Sequence, residues 1–420
     1  MNFEPSRRLF LGGSAALAAT SLLPGEAPAA EIDTSDLNAI TKDIIPIGPA
    51  ERAARIERAQ RLMHDRGLSA IIVEPGSSLI YFTGIEWHRS ERTTAALIPV
   101  RGRPIVVTPF FEEPSVRETL AIDAEVRVWQ EDESPFALLA QALRDRGLAT
   151  GTVGVEETVR FFIADGLAHA PPQIRIASAA PVVRGCRMVK SPAEIALMQK
   201  ATDVTIAAYR WTASRIREGM TPKDVGALMD AATIKLGGSP EFALVLMGEA
   251  AAYPHGSGKP QHVREGEVVL MDCGCTVQGY QSDVSRTFIP GRAPDAVRRV
   301  WDDVAEGQRI AFKAAQIGAP AGSVDDAVRH FYEGRGYGPR YALPGLSHRT
   351  GHGIGLDGHE PVNLVHGETM PLAAGMCFSD EPGLYLPGKF GVRLEDCFHM
   401  TANGPIWFSS PPPSIDRPFD

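Results

Sequence analysis

Two stretches of this chain set carboxylates against one another. The first, VVLMDCGCTVQGYQSDVSRTF (268–288), is a pair of apolar runs around a turn. With the turn centred on Val277-Gln278, Asp272 faces Asp283 across an antiparallel pair. The second, DEPGLYLPGKFGVRLEDC (380–397), turns at Pro387-Gly388-Lys389 and puts Glu381 opposite Glu395. Like charges directly opposite on a sheet repel, by roughly 3 kcal/mol at about 5 Å and an effective dielectric of about 20. One reading is that a register is off and the acids lie on separate faces. The other is that cations sit between them. Four carboxylates and one imidazole can hold two divalent ions about 3.5–4 Å apart, with a hydroxide bridging them.

The candidate imidazole is His352, in TGHGIGLDGHE (350–360). His352 and His359 stand seven apart, not at the i, i+4 spacing that puts two ligands on one helix face. Gly351, Gly353, Gly355 and Gly358 disfavour a helix, each by roughly 1 kcal/mol relative to Ala. The stretch reads as extended chain that something approaches closely, and the cations beside His352 are the expected visitor.

The elements that must position these residues fall into two groups. Residues 48–185 alternate helical patterns (ERAARIERAQRLMHDRG) with short apolar runs such as AIIVE and PIVVTP, as expected of an α/β domain built on βα units. A second domain, 187–410, opens at Ser191-Pro192-Ala193-Glu194, a capping box with Pro at the first helical position. Thr221-Pro222-Lys223-Asp224 starts another helix in the same way, ending near Gly237-Gly238. Helices followed by antiparallel strands then occur twice up to residue 400, an α+β arrangement of two similar halves. The tail from Pro411-Pro412-Pro413 is expected to be loosely ordered.

Composition bounds the function. Of 420 residues, 44% are hydrophobic and 22% charged, as in a soluble globular protein. A net charge of −9 without any Lys/Arg cluster argues against a nucleic-acid partner. Residues 1–30 read as an export signal: Arg7-Arg8 before Leu9-Phe10-Leu11, a short apolar run, and small residues at Ala27-Pro28-Ala29. The paired arginines resemble a twin-arginine signal, hence a periplasmic location, with an ordinary secretory signal as the alternative. The run is too short and too rich in Gly and Ala for stable membrane insertion. Five cysteines, an odd number, do not suggest a disulfide framework. Cys273 and Cys275 could attract a soft metal, but the carboxylates beside them suggest a harder one.

Taken together, the run Met271–Thr287, GHGIGLDGHE, EPGLY and VRLED resemble the metal-dependent creatinase, prolidase, aminopeptidase P and methionine aminopeptidase superfamily, peptidase family M24. The resemblance covers about residues 48–405. It implies a creatinase-type N-terminal domain and a pita-bread catalytic domain. Asp272, Asp283, His352, Glu381 and Glu395 match the family's metal ligands, and Glu381 also its general base. His255 and His359 match histidines near the substrate and the tetrahedral intermediate. The implied cofactor is two divalent metal ions per subunit; oxygen-rich ligation suits manganese, with cobalt, zinc or iron as alternatives.

The residues' own chemistry agrees with this transfer. Glu381 can orient a water and take its proton, and His359 can hydrogen-bond a developing oxyanion. A satisfied core histidine is the plainer reading of His359, and a surface loop residue that of His255. Arg393 lies on the same strand face as Glu395 and is expected to bond a metal-bound carboxylate. His348 is read as structural.

Methionine aminopeptidases usually lack the N-terminal domain, and creatinase lacks the ligand set. A lyase branch carries an acid at the position of Gly274. What remains is an Xaa-Pro peptidase: an Xaa-Pro dipeptidase, or an aminopeptidase P releasing the residue before proline from longer peptides, using a metal-bridging hydroxide. The alternative is another amide or C–N hydrolase acting on a small polar compound at the same metal centre. The family also implies a homo-oligomer, a dimer or tetramer.

Overall fold

Burial of both faces selects the first sheet. In a computed structural model that describes residues 32–170 and 174–419, the β-branched runs form β1 (Leu68–Val73), β2 (Ala95–Pro99), β3 (Ile105–Pro109), β4 (Glu125–Trp129), β5 (Thr152–Val155) and β6 (Arg175–Ser178). Their order is β4-β3-β2-β1-β5-β6. The central pairs β1–β2 and β2–β3 are antiparallel, and β3–β4, β1–β5 and β5–β6 are parallel. Helices α1 (Pro49–Asp65), α2 (Ser77–Thr83), α3 (Glu113–Thr119), α4 (Pro135–Asp145), α5 (Phe161–His169) and α6 (Ala180–Arg187) are interleaved with them. Ile71, Ile72, Leu97 and Val106 are fully buried, which is why these strands read as continuous apolar runs rather than alternating ones.

Both expected caps form. Ser191 and Glu194 make a reciprocal capping box at the start of α7 (Pro192–Ala213), and Thr221 and Asp224 do so for α8 (Pro222–Leu236). Gly237 closes α8 at φ 98°, a left-handed conformation suited to glycine. Next come β7 (Ser239–Met247), β8 (Val269–Val277), β9 (Tyr280–Gln281) and β10 (Val284–Phe288), in the order β10-β8-β7 with β9 on β8. The second half repeats the plan with α9 (Asp295–Ala314) and α10 (Gly322–Gly334), then β11 (Gly351–Gly353), β12 (Glu360–Leu364), β13 (Cys377–Asp380), β14 (Gly383–Leu386), β15 (Phe390–Arg393), β16 (Asp396–Thr401) and β17 (Gly404–Trp407). These strands form a sheet β12-β11-β13-β16-β17 and a hairpin β14-β15. A shared core of Trp301, Phe378, Phe398 and Tyr332 lies under both halves.

From Thr34 onward the chain is one compact unit. Arg55 on α1 pairs with Glu194 on α7 at 3.3 Å, and Tyr280 joins both through its hydroxyl. The tail is not loose: Ile415 is buried, Asp416 pairs with Arg298, and Phe419 packs on Tyr209 and Phe288. The export signal read in residues 1–30 lies outside the described residues. Among the described residues no helix is long and apolar enough to cross a membrane.

Candidate metal centre

The registers differ in one respect from the sequence reading. The first hairpin turns at Gln278-Gly279, both at positive φ, one residue later than Val277-Gln278. Asp272 therefore pairs with Ser285, not with Asp283. A two-residue slip keeps every side chain on its own face, so Asp283 stays on Asp272's side as a diagonal neighbour. The second register is as read: the β14–β15 and β13–β16 pairings are two pieces of one alignment that sets Glu381 against Glu395. At that point the ladder parts. Glu395 exchanges backbone bonds with Ser285 at 3.1 and 3.2 Å, and the Glu381 amide donates to Thr350 O at 2.8 Å. The two halves are stitched together at the acids themselves.

Gly351 and Gly353 in TGHGIGLDGHE admit protein rather than a cation. A methyl group on Gly351 would stand 2.1 Å from Ser379 O, and one on Gly353 would stand 2.7 Å from Glu360 O. Neighbouring strands close on this run and fix His352 without a helix. Its Nδ1 lies 3.0 Å from Gly353 O, and a carbonyl only accepts, so the proton is on Nδ1. Nε2 then carries a lone pair, is buried, and has no hydrogen-bond partner. It points at Glu381 Oε1, 3.4 Å away, and Asp283 Oδ2, 3.7 Å away.

On the predicted ligands, Asp272 Oδ1, Asp283 Oδ1 and Glu395 Oε1 are likewise buried acceptors without a donor. Ligand atoms of Asp283, His352 and Glu395 all lie within 4.8 Å of one another. Burial, then the neighbouring carboxylates, push Asp283 and Glu395 well above the usual range. Burial also raises Glu381 to about 7, against the pull of Arg393. Burial, then His359, keep His352 neutral. Unpaired lone pairs cost free energy when buried. Their convergence here fits divalent cations held by hard oxygens and one imidazole.

The other candidates surround this cluster. Arg393 donates through Nη2 to Asp272 Oδ2 at 2.5 Å and through Nε to Ser285 Oγ at 3.0 Å. Ser285 in turn donates to Glu395 Oε2 at 2.7 Å. His359 is half-buried, its ring 4.2 Å from that of His352 and edge-on to it; burial, then Arg349, favour its neutral form. His255 lies on the loop after β7, beside the Pro254 carbonyl that accepts from Arg393. His348 is built into the support: Nδ1 donates to Arg349 O, and Nε2 accepts from Tyr385, whose hydroxyl accepts from Arg393. Ser285 and Tyr385 were missed in the sequence. Strand parity two residues after Asp283 points to Ser285, and Tyr385 closes the EPGLY stretch. Cys273 and Cys275 lie on the opposite face of β8 from Asp272, toward Tyr209 and Thr205. All five cysteines are free and buried.

Sequence comparison decides the family. The profile of Metallopeptidase family M24 matches residues 196–402, and that of the Creatinase/Prolidase N-terminal domain matches 55–189. The chain belongs to metallopeptidase family M24. It is 33% identical over 360 residues to "Probable dipeptidase PepE" of Mycobacterium tuberculosis, covering 84% of this chain and 93% of that one. It is 30% identical over 356 residues to the Xaa-Pro dipeptidase of Lactobacillus helveticus, covering 83% and 95%. The crystal structure of dipeptidase PepE from Mycobacterium ulcerans superposes with a TM-score of 0.80 at 32% identity, covering 88% of this chain and 98% of that one. An α/β N-terminal part followed by an α+β pita-bread part is thus the fold of this M24 chain.

The position that bears an acid in the lyase branch is closed here. A methyl group on Gly274 would stand 2.3 Å from Ser282 O and 2.5 Å from the Phe242 ring.

Proposed function

We propose that this M24 chain is an Xaa-Pro peptidase that works with two divalent cations, manganese in the first instance, held by Asp272, Asp283, His352, Glu381 and Glu395. The observation that carries the metal reading is that ligand atoms of Asp283, His352 and Glu395 lie within 4.8 Å of one another between the two halves, with His352 Nε2, Asp283 Oδ1, Glu395 Oε1 and the neighbouring Asp272 Oδ1 all buried and without a hydrogen-bond partner. Bound there, such cations offset the clustered negative charge, polarise a carbonyl and bring the pKa of a water near neutrality. The choice of bonds before proline draws on the activity named for the Lactobacillus relative.

The chain's own residues supply the rest. Glu381, whose Oε1 stands 3.4 Å from His352 Nε2, borders the cluster where it can take a proton from water and return it to the leaving nitrogen. Neutral His359, at the rim, has an N–H to offer an oxyanion as it develops. His255 flanks the same opening from the loop after β7. Arg393 holds Asp272 directly and Glu395 through Ser285, which fixes both carboxylates and leaves one oxygen of each free.

The test uses protein from residue 31 onward, stripped of metal, reloaded with manganese, and assayed on matched Xaa-Pro, Xaa-Pro-Yaa and Xaa-Ala-Yaa peptides. Cleavage confined to the proline series is the expected result. Silence on every peptide with two metals bound per chain would overturn the substrate class and favour an amide hydrolase of a small polar compound.

A further inference from the structure

β7 is an edge strand: it pairs with β8 on one side only. Its free side opens on a groove of about 1190 Å³, walled by α8 and by the loop His255–His262. Antiparallel pairing alternates which backbone groups face the partner strand. The Gly248 amide donates inward, to Val268 O at 2.8 Å, whereas the Met247 amide faces outward and donates to Gln261 Oε1 at 2.9 Å. By the same alternation Ala243 and Val245 direct their N–H and C=O groups into the groove. An edge of this kind is a template for another extended chain.

The groove borders the face that carries the metal centre. Leu244 is the direct cross-strand partner of Asp272, so the two side chains leave the same face about 5 Å apart. Phe242 lies on that face also, its ring against Gly274. His255, beside the opening of the centre, lines the groove as well. A chain emerging from the centre meets first an apolar wall, Leu244 and Phe242, and then the outward amides of Ala243 and Val245.

We propose that the free edge of β7 binds the substrate residues downstream of the scissile bond as an added strand, so that the substrates are peptides extended beyond the Xaa-Pro pair. The proposal rests on the peptidase reading above and narrows it, away from the dipeptides that the relatives' names suggest. Main-chain bonds to Ala243 and Val245 hold the peptide with little regard for its sequence, and alternate side chains touch Phe242 and Leu244.

The experiment measures cleavage and binding separately. Manganese-loaded enzyme is assayed on Ala-Pro, Ala-Pro-Ala, Ala-Pro-Ala-Ala and Ala-Pro-Ala-Ala-Ala, and calorimetry follows the binding of proline, Pro-Ala and Pro-Ala-Ala-Ala. Each added residue should raise kcat/KM, to at least tenfold over the dipeptide, and binding should tighten in parallel. A single N-methyl group moved along the downstream residues should cost tenfold at alternate positions and little between them, the period of a strand. Ala227→Phe, an exposed substitution on the helical wall, should keep Ala-Pro cleavage and lose the gain with length. Equal rates and affinities at every length would overturn the proposal. So would dissociation of an oligomer by Ala227→Phe without any length effect, because a second copy would then occupy the groove. Length-dependent binding without cleavage of any peptide would uphold the groove and overturn the peptidase reading.

Discussion

Glu360 closes the glycine-rich run, and its replacement by Gln tests how that run is held. The carboxylate accepts from Lys190 Nζ at 2.9 Å, just after α6, and from Arg187 Nη2 at 2.6 Å, at the end of α6, and from the amides of Leu356 and Asp357 at 3.0 and 3.2 Å. Burial alone would raise its pKa, but Lys190 and then Arg187 overcome that and bring it from 4.5 down to about 2. At 1.36 kcal/mol per unit, the depression corresponds to roughly 3 kcal/mol of folding stability. The folded-state pKa is the lower one, so this stability is present above pH 4.5 and is lost as pH falls toward 2. Glu360→Gln removes the charge and leaves the buried Lys190 without its partner, a loss of the same order or larger. Urea unfolding of metal-free wild type and variant, compared pairwise from pH 7 to pH 3, should give a difference of about 3 kcal/mol at pH 7 that shrinks steadily below pH 4.5. A difference that stays constant with pH would refute the charge argument and leave only packing.

Three further outcomes follow from the site. Asp283→Asn should lower bound metal, read by elemental analysis, and reduce kcat at least a thousandfold; full metal content with normal turnover would sink the dinuclear reading. His359→Ala should keep its metals and lose about 10²–10³ in kcat, and loss of metal instead would make His359 a ligand. Arg393→Lys cannot reach Asp272, Ser285 and Tyr385 at once, so metal affinity should fall about 10–100-fold; an unchanged affinity by competition with a chelator would show that the fork is dispensable.

Much of this protein is decided locally and is legible in its sequence. The capping boxes at Ser191 and Thr221 act within one helical turn, and the apolar runs of β1 to β3 report burial on both faces. The face on which each acid lies depends only on strand parity, which is why Asp272 and Asp283 stay together despite a two-residue slip in register. The slip itself came from the turn: Gln278 adopts positive φ beside Gly279, where glycine alone signals the conformation. What the sequence could not decide was anything set between distant segments. Gly351 and Gly353 are small because strands seven and more residues away close on them, and the proline-rich tail is ordered because Ile415 and Phe419 find apolar partners in the catalytic half. Lys190 and Arg187 meet Glu360 across about 170 residues, and the free edge of β7 becomes a groove only once α8 and the loop after it wall it in. Short-range chemistry is written in neighbouring letters; contacts of long sequence separation exist only when the chain has closed on itself.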